Sequence, residues 1–184
     1  MAGDTANQRP PPERQDQLYC YYASGKRIDV TLDDDLLAID EDLASEVEVS
    51  AIERKRLREA SRPLRGNLVL VPTSSISPAT QKALKSVGAV QSVFRAEDTT
   101  LVVLPEVRVE ESSQDRRKAL RQWLAKHTDV AQVLNDKGEM MVLRPVSGKG
   151  TDALRLAAKL SEEIHVTSAQ PRFMRIVRRP STAR

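Results

Sequence analysis

The sequence predicts an α+β protein of two tandem ferredoxin-like (split βαβ) units that follow an N-terminal β-hairpin. Two observations lead to this fold class. Short apolar runs alternate with stretches of helical periodicity in the order β-α-β-β-α-β. The same order occurs in both halves of the 184 residues, and two copies of one unit explain such repetition most simply. The alternative is a single larger α+β domain whose halves resemble each other by chance.

A β-hairpin opens the first half. Strand formers at 18–22 and alternating apolar residues at 28–32 flank a turn at 23–26. The three consecutive acids at 33–35 are expected to close this hairpin.

The rest of the first half is predicted from apolar runs and helix signals. Ser77 is a candidate N-cap, Pro78 suits the first helical position, and Gly88 is expected to end that helix. The predicted elements are a strand at 36–39, a helix from 49 to 60, a strand at 68–71, the helix from 78 to 87 and a strand at 90–94.

The second half shows the same order of elements. Ser112 or Ser113 is expected to cap its first helix, in which Leu120, Trp123, Leu124 and His127 share one face. The predicted elements are strands at 101–104 and 107–109 on either side of Pro105, that helix, hairpin strands at 129–134 and 139–143, a helix from 151 to 164 and a strand at 166–169.

These elements suggest a division of the chain. Residues 1–17 contain charges and three prolines, which predicts a disordered leader. The hairpin and the first unit are assigned to 18–98, the second unit to 99–177 and a basic tail to 178–184.

Composition excludes several classes of protein. A net charge of +3 does not by itself indicate nucleic acid, and no apolar run approaches the roughly 20 residues of a membrane helix. One cysteine cannot form an internal disulfide, and two histidines give no metal-ligand spacing. We therefore expect a cytoplasmic protein without a metal or cofactor.

No arrangement of residues indicates catalysis, so the chain is not expected to be an enzyme. Cys20 lies among tyrosines in a predicted strand, which is typical of a half-buried apolar residue. His127 is explained by packing near a helix end. The segment 148–151, Gly-Lys-Gly-Thr, lacks the preceding glycine of a phosphate-binding loop.

Binding of RNA is the weakest of the binding hypotheses. A ferredoxin-like sheet binds single strands through exposed aromatic residues, and this chain is 3% aromatic. The C-terminal arginines are interpreted as a solvated basic tail.

The end of the second unit carries a family resemblance. Val166, Ala169, Pro171 and Phe173 follow the pattern Val-x-x-Ala-x-Pro-x-Phe after a helix. With the elements before it, this segment resembles the prodomain of subtilisin-like serine peptidases, of the fervidolysin-like type. The first unit, from 22–28 to its end at 92–95, resembles the degenerate copy that precedes that prodomain in some bacterial subtilases.

The resemblance implies an intramolecular chaperone and inhibitor that binds a subtilisin-like serine peptidase. In that family the prodomain sheet packs on the peptidase, and the segment after the last strand lies in the substrate cleft as an added strand. The corresponding partner-binding tail here is Met174, Arg175, Ile176, Val177, Arg178, Arg179 and Pro180.

The peptidase domain is not part of the sequence, so the partner is either encoded separately or was originally fused to this chain. The alternative hypothesis is a protein–protein interaction scaffold in an intracellular complex without a protease.

Overall fold

The computed structural model describes residues 18–23, 25–97 and 99–176. They form a mixed α+β structure in which a nine-stranded sheet is accompanied by five α-helices. Every strand pairing among the described residues is antiparallel. The predicted α+β class is therefore confirmed. The expected leader and basic tail lie outside the described residues.

The strands and helices alternate along the chain. The strands are β1 Leu18–Ala23, β2 Lys26–Asp40, β3 Arg62–Pro63, β4 Leu68–Pro72, β5 Val90–Ala96, β6 Thr99–Glu110, β7 Ala131–Lys137, β8 Met140–Pro145 and β9 Ser168–Ile176. The α-helices are α1 Glu41–Ala44, α2 Ala51–Ala60, α3 Pro78–Ser86, α4 Gln114–Lys126 and α5 Gly150–Lys159. A 3₁₀ turn spans Thr73–Ser75, and a π turn, Leu160–Ile164, continues α5.

One sheet contains strands from both halves of the chain. Its order is β3-β4-β2-β5-β6-β8-β7, with β1 beside β2 and β9 beside β6. The long strand β6 pairs with β5 through 99–102 and with β8 through 107–110. The halves are therefore joined by main-chain hydrogen bonds between β5 and β6.

Serine side chains cap the N-termini of three of the helices. Ser50, Ser77 and Ser113 accept hydrogen bonds from the backbone N–H groups three residues later, at 3.2, 3.2 and 3.4 Å. Such caps satisfy donors that have no partner within the helix. The prediction of Ser77 as a cap is confirmed, and Ser113 rather than Ser112 caps α4.

Several predicted boundaries differ from the structure. The acids at 33–35 do not close the hairpin, because β2 continues through them with a shift in register against β5 between Leu32 and Leu37. Pro105 does not divide β6 either, and the register against β9 shifts between Val103 and Val107. A bulge of this kind absorbs extra residues without ending a strand.

The last helix and the last strand are also displaced from their predictions. The final helix is predicted to extend from 151 to 164, but its α-helical part ends at Lys159. The final strand begins at Ser168, two residues after Val166, and it continues to Ile176.

The N-terminal hairpin packs on the second half of the chain. The rings of Tyr21 and of Phe173 in β9 are 4.6 Å apart between centroids, whereas Tyr19 contacts Phe94 of the first half at 5.2 Å. Both tyrosines belong to the same apolar core as α4 and α5. The hairpin therefore stabilises the second half as well as the first, and the division at 98/99 stays a prediction.

Candidate functional site

One side of the sheet carries an apolar cluster to which no described helix residue contributes. In β6, Leu101 and Val103 pack into the core with α4 and α5, whereas Val102 between them belongs to a different cluster. Adjacent side chains of a strand point to opposite faces, so this cluster lies on the other side of the sheet. We call it the strand-only cluster, because its described members include no helix residue and all except Leu64, which lies between β3 and β4, belong to strands. Its buried members are Ala38, Leu70, Val93 and Val102, and its half-buried members are Leu36, Leu64, Leu104, Met174 and Ile176.

Charged side chains continue the same side of β6 beyond the cluster. The alternation of the strand places Glu106, Arg108 and Glu110 on the side of Leu104. The Glu106 carboxylate accepts a hydrogen bond from Arg172 of β9 at 2.8 Å and lies 3.8 Å from Arg144 of β8. We call this set of ion pairs, which links three strands, the charged ladder.

The strand-only cluster and the charged ladder together form the candidate binding surface. Its apolar part draws on both halves of the chain, and its polar part lies on the second-half strands. A surface with an apolar part and a neighbouring ionic part suits a protein partner, since burial provides affinity and charge fixes orientation.

The predicted partner-binding tail divides at the end of β9. Met174, Arg175 and Ile176 lie within the strand and pair with Val102, Leu101 and Thr100 of β6. The remaining tail residues, 177–180, lie outside the described residues. Among the described residues β9 forms strand hydrogen bonds with β6 alone, and β1 packs beside it through the contact of Tyr21 with Phe173.

The four residues of the family pattern occupy the segment around the start of β9. Val166, Ala169 and Pro171 are buried, and Phe173 is half-buried against Tyr21. Val166, Ala169 and Phe173 contribute to the core beside α4 and α5. Their apolar character is therefore explained by packing.

Three features that resemble catalytic or phosphate-binding elements have structural explanations. Cys20 is half-buried in β1, and burial raises the pKa of its thiol, which disfavours the reactive thiolate. The His127 ring stacks on Trp123 at 4.3 Å, and its Nδ1 lies 2.8 Å from the Trp123 carbonyl oxygen. Gly150 packs directly on the backbone of Val103.

Two buried carboxylates were not predicted from the sequence. The Asp33 carboxylate accepts a hydrogen bond from Arg95 Nε at 2.7 Å. The Glu111 carboxylate accepts bonds from the backbone N–H groups of Ser113 and Thr167, both at 2.8 Å. Each carboxylate joins segments that are distant in sequence, so local patterns gave no signal for it.

Comparison of the chain with protein-family models, curated proteins and solved structures finds no match. Within the described part of the chain, no helix has the length and apolar character needed to cross a membrane. The same residues contain no group of three or more histidine, cysteine or acidic side chains that could hold a metal ion.

Proposed function

We propose that the chain is a binding protein of two tandem ferredoxin-like units, and that its sheet docks on a subtilisin-like serine peptidase as an inhibitor or folding partner. The strand-only cluster is the observation that carries this proposal. One face of the sheet has helices, whereas on the other face the buried centre of the cluster lies under half-buried apolar side chains, which stay partly accessible to a partner.

The order of strands supports the two ferredoxin-like units. In the second half, β8 lies between β6 and β7, the two strands that α4 connects. In the first half, β4 lies in the same way between β2 and β3. A strand inserted between the two strands of a β-α-β connection is the arrangement that the term split βαβ describes.

The position of β9 supports a role for the residues that follow it. Residues that follow Ile176 could continue this strand into a partner, and strand addition supplies main-chain hydrogen bonds to that partner. Since Met174, Arg175 and Ile176 already pair with β6, the cleft-binding part of the tail begins at Val177. An inhibitor interface of ordinary size would bury about 1,600 Å² over the sheet face and this segment.

Replacement of Leu104 by glutamate tests the sheet face. Leu104 is a half-buried member of the strand-only cluster, so a charge there would be buried against the partner. We expect the inhibition constant for a purified subtilisin-like peptidase to rise by about tenfold or more. Ile52→Glu is the control, because Ile52 is 69% exposed on α2, outside the surface, and should leave inhibition unchanged.

Thermal unfolding of both variants must show that they remain folded. If Leu104→Glu inhibits the peptidase as strongly as the wild-type protein does, the sheet face does not form the interface.

Truncation after Ile176 tests the tail separately from the sheet. Removal of residues 177–184 leaves the whole of β9 in place, whereas truncation after Phe173 would also remove residues paired with β6. We expect the truncated chain to bind the peptidase but to lose inhibition, as measured by hydrolysis of a small peptide substrate. Full inhibition by the truncated chain would contradict the tail hypothesis.

A further inference from the structure

A cavity of about 270 Å³ lies beneath α2 in the first half of the chain. Its floor is apolar and buried, and is formed by Ile39, Val69 and Val71 of the sheet with Leu84 of α3. The segment from α1 to α2 adds further apolar walls, from Ala44, Val47, Val49 and Leu57. The cavity therefore has an interior suited to a hydrocarbon chain.

The cavity exists because α2 does not pack closely on the sheet. No residue of α2 is buried. Leu57 and Ala60 pack partly against the apolar floor. Polar contacts hold the first turn, where Ser50 caps the helix and Glu53 Oε1 accepts a hydrogen bond from the Thr80 hydroxyl at 2.9 Å. The helix thus covers the apolar floor only in part, which leaves the cavity between them.

Two arginines from α2 line the cavity. Arg54 and Arg58 are four residues apart, which places them on the same side of the helix. Within the described residues neither guanidinium forms an ion pair, and Glu41 is the one acidic residue of the lining. The lining therefore carries a net positive charge that is available to an anion.

We propose that this cavity binds an unbranched aliphatic carboxylate. Its chain lies against the floor of Ile39, Val71 and Leu84, and its carboxylate pairs with Arg54 and Arg58. Arginine is suited to this role because its planar guanidinium donates two parallel hydrogen bonds to a carboxylate. The volume lies just below the range of about 300–1,000 Å³ usual for ligand pockets, which favours a short chain over a long one.

Calorimetric titration of the full-length protein with octanoate tests this proposal. We expect saturable binding with one site. The double variant Arg54→Gln with Arg58→Gln should bind octanoate about tenfold more weakly or worse, since two charge-assisted hydrogen bonds are lost. Arg56→Gln is the matched control, because Arg56 lies on the same helix but does not line the cavity, and it should bind octanoate as the wild-type protein does.

Two further measurements distinguish the contribution of the ligand's aliphatic chain to binding from that of its carboxylate. Octanol should bind the wild-type protein more weakly than octanoate does. In the double variant, octanol and octanoate should bind with equal affinity. Val47→Phe, which fills the cavity, should abolish binding of both molecules while the protein remains folded by circular dichroism. Absence of saturable octanoate binding, or equal affinity in the double variant and in Arg56→Gln, would overturn the proposal.

Discussion

Replacement of Glu111 by alanine is expected to lower the free energy of unfolding by about 3 kcal/mol. The residue is 3% exposed, and its carboxylate accepts hydrogen bonds from the backbone of Ser113 and Thr167 and from the Arg116 side chain. Alanine would leave these donors without an acceptor, and it would release the segment before α4 from the segment before β9. Chemical denaturation followed by circular dichroism measures the loss.

Glu110→Ala is the matched control for this prediction. Glu110 is adjacent in sequence, but its side chain is 51% exposed and pairs with Arg108 at the surface. Exposed ion pairs contribute little, so a loss of at most about 0.5 kcal/mol is expected. Similar losses in the two variants would show that Glu111 does not join the two segments as described.

The stability that Glu111 contributes should depend on pH. Burial alone raises the pKa of its carboxyl, but the hydrogen bonds from Ser113 and Thr167 and the charge of Arg116 outweigh burial and hold the pKa below its usual range. The folded-state pKa is then lower than the unfolded-state pKa. The contribution is therefore complete above the unfolded-state pKa and is lost as the pH falls through the folded-state pKa. The stability difference between the wild-type protein and Glu111→Gln should accordingly shrink in acid.

Replacement of Gly150 by alanine is expected to cost about 3 kcal/mol of stability. A Cβ atom at this position would overlap the Val103 carbonyl oxygen, well inside van der Waals contact. Since that oxygen belongs to the backbone of β6, relief requires α5 to move away from the sheet. α5 contributes Leu154, Leu156 and Ala157 to the largest apolar core, so such a movement would expose buried surface.

Gly148→Ala, in the loop just before α5, provides the comparison. Gly148 has a φ of +66°, which a side chain disfavours, but a Cβ atom there would meet nothing within 4 Å. The expected cost is about 1 kcal/mol, from the backbone conformation alone. Thermal or chemical unfolding of both variants should rank Gly150→Ala as clearly the less stable, and the reverse order would contradict the close approach of α5 to β6.

Local signals in the sequence predicted most of the elements. The Ser77 cap with Pro78 gave α3, and the apolar run at 68–71 gave β4, because both signals depend on neighbouring residues. The acids at 33–35 misled the prediction for the opposite reason. Asp33 is tolerated inside β2 since Arg95 pairs with it, and that pairing depends on a strand 62 residues away.

The candidate surface was less accessible to sequence reasoning than the fold. The continuous apolar run at 101–104 of β6 indicates that both sides of the strand are apolar there, but the pattern does not tell which side the helices cover. The partners of Glu106 lie on two other strands, so the charged ladder also follows only from the strand order. The cavity beneath α2 depends on how closely that helix packs, for which the sequence contains no signal.

Direct binding to a peptidase is the measurement that tests the proposed function most directly. The full-length chain would be titrated by calorimetry with subtilisin-like peptidases from the same organism in which the catalytic serine is replaced by alanine, so that proteolysis does not interfere. The proposal predicts a one-to-one complex with a dissociation constant in the nanomolar range for at least one of them. The heat capacity should decrease on binding, because apolar surface is buried. Failure of every such peptidase to bind at micromolar concentrations would contradict it.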